Sequence, residues 1–89
     1  MLENTGPNGG SAEMYRIDFA ASDWENHFDH YQLIIPASLH LRGTRASVTE
    51  VRRNGADGSE PVLTPSKRYV NGDIALFSNR PFSGCVSIL

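Results

Sequence analysis

Residues 71–89 read NGDIALFSNRPFSGCVSIL. Asn71-Gly72 is a two-residue turn signal of the type I′ kind, and DIALF after it reads as a strand with Ile74 and Leu76 on one face. A second turn follows over Ser78–Pro81, after which Val86 and Ile88 can share that face. Gly84, inside the last strand, marks a bulge or the close approach of another backbone. An apolar strand closing the chain is stable when it pairs inside a sheet or when a neighbouring subunit covers it.

The segments upstream repeat this pattern. KRYV (67–70) is the strand before the Asn-Gly turn, and SEPVLTP (59–65) is a short strand whose Pro61 and Pro65 suit a sheet edge. NGADG (54–58) is a five-residue loop rich in residues that tolerate positive φ. In RASVTEVRR (45–53), Val48 and Val51 have opposite parity, which requires either two covered faces or a bulge. YQLIIP (31–36) is a strand that Pro36 ends by removing a donor. EMYRIDF (13–19) puts Tyr15, Ile17 and Phe19 opposite Arg16 and Asp18, and AASDW forms a bend in which Ser22 or Asp23 caps one helical turn around Trp24. No helical period lasts beyond about two turns. The expected fold is all-β: a small antiparallel β-sandwich or jelly-roll-like domain of six to seven short strands over residues 13–89.

Residues 1–12 differ in composition. Gly6, Pro7, Asn8, Gly9, Gly10 and Ser11 stand there with almost no apolar content, so the segment cannot offset its ordering entropy alone. It reads as a flexible N-terminal arm, and if ordered it must be held by a neighbour. The stretch MLENTGPNGGSAE also lacks the basic start and apolar run of a signal peptide, which predicts a protein made in a cytoplasm and kept there or packaged from it.

The 89 residues carry 8 basic and 10 acidic side chains, a net charge of −2. Residues 1–30 hold Glu3, Glu13, Asp18, Asp23, Glu25 and Asp29 against Arg16 alone, and most of the bases come later. Complementary acidic and basic patches on neighbouring subunits would use this asymmetry, but charge asymmetry is a weak indicator of partners and ordinary surface solvation is the preferred reading. Without a basic excess, nucleic-acid binding is not expected. No apolar run approaches the roughly 20 residues of a membrane helix. Cys85 is the single cysteine, so no disulfide can form within the chain.

For chemistry, the stretch DWENHFDH (23–30) has the best credentials. His27 and His30 lie three apart among Asp23, Glu25 and Asp29, and His40 could join them, a donor set compatible with zinc. His-x-x-His without a second pair at a defined spacing is weak, and the stretch reads as a polar loop between strands. Cys85 reads as a small hydrophobe and Arg52-Arg53 and Lys67-Arg68 as solvated strand ends. Paired-carboxylate catalysis needs a cleft of roughly 300 Å³ or more, for which a sandwich of this length has little room. No catalytic, cofactor-binding or metal residue is therefore expected, and no cofactor. Of the aromatics, Tyr15, Phe19, Tyr31 and Tyr69 read as core fillers or interface anchors. Trp24 and Phe28, set among acids, are the candidate contact residues, with the core favoured for Trp24.

Read end to end, DFAASDW, YQLIIPASLHLRGTRASVTEVRRNG and NGDIALFSNRPFSGCVSIL resemble a small β-module of tailed-bacteriophage virion proteins. The pattern is carried by Phe19, Ser22, Asp23 and Trp24, by Ile35, Pro36, Ser38 and His40, by Gly72, Asp73 and Ile74, and by Phe82, Gly84, Val86 and Ile88. Leu41-Arg42, where a small residue usually follows the histidine, and VTEV, in place of a stricter V-x-V, depart from it. The resemblance implies a non-enzymatic virion structural protein, of tail-fibre, decoration or adaptor type. It would assemble symmetrically on the tail or capsid surface with other virion proteins and with copies of itself, a trimer being one such arrangement. The alternative is a β-sandwich module that binds a carbohydrate or host surface; a metal-stabilised domain ranks below both.

Overall fold

Tyr15, Ile17 and Phe19 alternate with Arg16 and Asp18, and strand β2 (Ser11–Phe19) turns the first set toward the interior, with Ile17 and Phe19 buried. The computed structural model describes residues 2–8 and 11–89, with side chains described for residues 2–6 and 15–89. β2 pairs antiparallel with β9 (Gly84–Ile88), Tyr15 opposite Ile88 and Phe19 opposite Gly84. On the far side of β9 lies β5 (Val48–Gly55), then the edge strand β6 (Gly58–Val62), and at the other edge β1 (Glu3–Asn8). This five-stranded sheet, β1-β2-β9-β5-β6, covers a four-stranded sheet ordered β3-β4-β8-β7. The second sheet comprises β3 (Glu25–Asn26), β4 (Tyr31–Ile35), β8 (Ile74–Ser78) and β7 (Ser66–Arg68). All pairings are antiparallel.

The all-β sandwich is thus as expected, with nine strands among the described residues where the sequence predicts six to seven; the two additions are β1 and β3. Ile17, Leu33, Ile35, Ile74, Leu76, Val86 and Ile88 form its centre, all fully buried. The face that Ile74 and Leu76 share with Val86 and Ile88 is one interior reached from opposite layers, because residues 79–83 cross from β8 in one sheet to β9 in the other.

The parity conflict in β5 resolves as a bulge. Val48 stands opposite Ile88, Glu50 opposite Ser87 and Val51 opposite Val86, so Thr49 is the extra residue. Val51 is buried and Val48 packs against the same core. Pro61 lies on β6, an edge, where its missing N–H costs no ladder bond. Pro36 follows β4 and heads one short helical turn, α1 (Ala37–His40), which Leu41 ends with a left-handed backbone (φ 60°).

Three local readings need correction. The Asn71-Gly72 connection is not a type I′ turn, because only Gly72 has positive φ (98°). The Gly72 N–H donates to the Tyr69 carbonyl (2.9 Å) and the Tyr69 N–H to the Asp73 carbonyl (2.8 Å). This is the three-residue form in which glycine takes the bulge position after an ordinary turn. The NGADG loop is tighter than read: Gly55 pairs with Gly58, leaving only Ala56 and Asp57 outside the ladder. In AASDW the helical turn (Ala21–Asp23, of the 3₁₀ type) precedes Trp24, and the Asp23 carboxylate reaches back to accept the Ala20 N–H (2.7 Å).

Part of the segment whose composition predicts a mobile arm is placed as β1, with Gly9 and Gly10 outside the described residues. The neighbour that holds it is this chain itself. Glu3 and Asn4 pair with Asp18 and Ile17, the Asn4 Nδ2 donates to the Leu39 carbonyl (2.8 Å), and the Thr5 hydroxyl donates to the Arg16 carbonyl (3.1 Å). Among the described residues no helix is long and apolar enough to cross a membrane.

Candidate interaction surfaces

The stretch DWENHFDH folds as the β3–β4 hairpin. The His27 N–H donates to the His30 carbonyl (2.8 Å) and the Asp29 N–H to the His27 carbonyl (2.8 Å), a three-residue turn centred on Phe28. Phe28 is held at φ 69°, in the region that L-residues seldom enter. Its N–H is taken by the Asn26 side-chain oxygen (3.1 Å), and its ring is wholly exposed, at 104%. An apolar ring in water on a strained backbone contributes nothing to the isolated fold, and strain of this kind clusters at functional sites.

The two histidines of the hairpin stack on each other (centroids 5.5 Å apart), and each faces a carboxylate: His27 Nε2 to Glu25 at 3.2 Å, His30 Nδ1 to Asp29 at 2.6 Å. The hydrogen bond from His30 holds the Asp29 carboxyl below its ordinary pKa. His40 does not join them. It is the buried last residue of α1, donating from Nε2 to the Gly72 carbonyl (2.7 Å) and accepting the Arg42 N–H at Nδ1 (3.0 Å). Both ring nitrogens of a neutral imidazole are thereby used, a structural role. Among the described residues no three His, Cys, Asp or Glu side chains gather as a metal site. The same corner holds Asp73, whose Oδ1 accepts the Ala37 N–H (2.8 Å) at the start of α1. Pro36, His40, Gly72 and Asp73 therefore form one bonded knot.

Trp24 is a core residue, 7% exposed, and its indole N–H donates to the Phe82 carbonyl (2.8 Å). It meets Phe82 at 5.1 Å and Phe19 edge-on at 5.8 Å. Beside Phe82 lies an open cleft of about 700 Å³, lined by residues of both sheets and of the links between them, more room than the length of the chain predicts. Phe77 and Phe82 line it with Val62, Leu63, Arg53 and Arg80, and His30 stands at its border with an edge toward Phe77 (5.8 Å). Arg53 is engaged by Glu60 across β5 and β6, whereas no carboxylate lies against Arg80 among the described residues. Leu63 is fully exposed on the rim. None of this was legible in one segment, because the lining comes from β5, the β6–β7 link, β8 and the crossover before β9.

At the opposite end of the four-stranded sheet, Val70 is 98% exposed beside Tyr69 and Ile34, around a shallow hollow. The Lys67 ammonium sits over the Tyr69 ring at 5.0 Å, and the Arg68 guanidinium donates to the Ala46 carbonyl (3.0 Å). The basic pairs read as solvated strand ends thus make specific contacts; Arg52 donates from Nε to the Ser59 hydroxyl and from Nη2 to the Ser59 carbonyl (both 2.9 Å).

Cys85 is half-buried on the outer face of β9, and burial raises its thiol above the ordinary pKa. Its thiolate fraction at neutral pH is correspondingly small. Alkylation by iodoacetamide at pH 7.5 should run several-fold slower than for a free thiol in the same buffer, and should accelerate only on denaturation. A native-state rate equal to that of the free thiol would contradict this placement.

No protein-family model matches the chain, and no curated protein or solved structure shows significant similarity to it.

Proposed function

We propose that this chain is a non-enzymatic structural module that joins other proteins through apolar side chains presented at its turns. The resemblance to tailed-phage virion modules suggests the setting: a part repeated on a tail or capsid surface, where neighbouring virion proteins and copies of the chain cover those side chains. The observation that carries this reading is Phe28, whose ring is fully exposed on a positive-φ backbone at the tip of a hairpin bordered by Glu25 and Asp29. Val70 and Leu63 add exposed apolar groups at two further turns, so the chain offers more than one contact face. Covering such groups is favourable by about 25 cal/mol per Å² of apolar surface.

Light scattering of the full chain over a wide concentration range tests this. The weight-average mass should rise above the 9.8 kDa of one chain as concentration increases, and Phe28→Ser should return it toward that value. A mass fixed at one chain throughout would refute self-assembly.

A further inference from the structure

We propose that two copies of this chain form a two-fold dimer in which the Phe28–Asp29 tip of each fills the inter-sheet cleft of the other. This rests on the assembly reading above and names the partner and the seat. The cleft is lined by the aromatic side chains of Phe77 and Phe82 and by Arg53 and Arg80. Aromatic lining takes a flat apolar ring, and guanidinium groups take an anion carried beside it. Its volume, about 700 Å³, leaves ample room for a phenyl ring and a neighbouring carboxylate. Phe82 is also preorganised, because it is wedged against Phe19 (5.5 Å) and Trp24 (5.1 Å) and its carbonyl is held by the indole N–H.

Phe28 and Asp29 supply that chemistry on consecutive residues. The Phe28 ring is wholly exposed and therefore lies outside its own cleft, and the Asp29 carboxylate is 78% exposed, with lone pairs to spare beyond its bond from His30. Arg80 is the natural partner for it, since Glu60 already occupies Arg53. The titratable and charged groups that would meet are Glu25, His27, Asp29 and His30 from the tip and Arg53 and Arg80 from the cleft, with Glu60 beside Arg53.

The symmetry follows from where these parts lie. His30 borders the cleft and is two residues from Phe28, and Tyr31 pairs with Ser78, two residues from Arg80. Tip and socket therefore stand side by side at one end of the sandwich. A surface that carries a plug beside its own socket is self-complementary about a two-fold axis and closes as a dimer. The Val70 end stays free for a different partner.

Charge reversal tests the pairing in solution. Asp29→Arg and Arg80→Asp, both exposed positions, should each leave the amide spectrum folded and weaken self-association about tenfold or more. Mixing the two variants in equal amounts should restore association to near the wild-type level, because both contacts of the mixed dimer then pair opposite charges. The double variant should recover as well. Should Phe28→Ser abolish association while neither reversal changes it, the tip docks elsewhere and this inference fails, although the assembly reading stands. Reversals that weaken association without rescue on mixing would also overturn it. A wild-type chain that remains monomeric throughout overturns this inference together with the self-assembly on which it rests.

Discussion

Gly84→Ala should leave little or no folded protein. A Cβ at residue 84 would stand 1.9 Å from the Arg52 carbonyl oxygen and 2.9 Å from its carbon, both backbone atoms of the adjacent strand. A side-chain tip could swing away from such a contact, but a carbonyl within a paired strand cannot move without taking the strand with it. Gly84 faces Arg53 on β5 and Phe19 on β2, so relief on either side opens a ladder of the five-stranded sheet next to Val51 and Val86. The loss should be about 4 kcal/mol or more, at the far end of what single substitutions do. A domain of this length holds only about 4–13 kcal/mol in total. Amide shift dispersion and a urea melt are the measurements. Gly55→Ala is the control: its Cβ would meet only the Gly58 carbonyl oxygen at 3.3 Å, so its stability should change by about 1 kcal/mol or less. A Gly84→Ala melt as close to wild type as that of the control would show that the strands do not approach in this way.

Gly84 is also where sequence and structure agree for a physical reason that can be named. A glycine between apolar alternations has few explanations, and close backbone approach is one of them. Likewise, Val48 and Val51 cannot both point inward on a regular strand, so their parity leaves two covered faces or a bulge, and the register decides for a bulge at Thr49. Pro61 and Pro36 mark an edge and a strand end because a missing donor is tolerated nowhere else in a sheet. These signals are local, or nearly so, and local signals survive folding.

What the sequence hides is whatever depends on distant segments meeting. Residues 3–8 have no alternation to betray a strand; they are held by the edge of β2 and by α1 through Asn4, partners chosen by the fold and not by their own composition. The turn at Gly72 looks like the two-residue kind until the approach of Gly43 is seen. A Cβ on Gly72 would lie 2.8 Å from the Gly43 oxygen, so the glycine is required there for space as well as for its φ. The cleft is less legible still. Arg53, Leu63, Phe77, Arg80 and Phe82 share no spacing, and their convergence follows from the crossover of residues 79–83 between the two sheets. Phe28, by contrast, could be singled out as a contact candidate from its setting among acids, whereas its strained backbone could not.

Trp24→Ala should cost about 3–5 kcal/mol, the second-largest loss expected. The indole closes the end of the core beside the cleft, packed on Phe19 and Phe82 and donating to the Phe82 carbonyl at 2.8 Å. Removing it leaves a cavity and an unbonded carbonyl, two separate penalties that Trp24→Phe divides. Phenylalanine keeps most of the ring packing but loses the donor, so it should cost about 1–3 kcal/mol, the desolvation of one orphaned acceptor together with its hydrogen bond. The consequence reaches past stability. Phe82 is both the acceptor's residue and a lining residue of the cleft, so a loosened residue 82 should weaken dimer formation even under conditions where the variant is fully folded. Urea midpoints read the first effect, and concentration-dependent sedimentation at low urea reads the second. If Trp24→Phe dissociates the assembly while leaving the amide spectrum of β4 and β8 unchanged, the indole acts on the contact through Phe82. If it lowers the midpoint and leaves association untouched, the cleft lining does not bear on the partner, and the seat of Phe28 must be sought elsewhere.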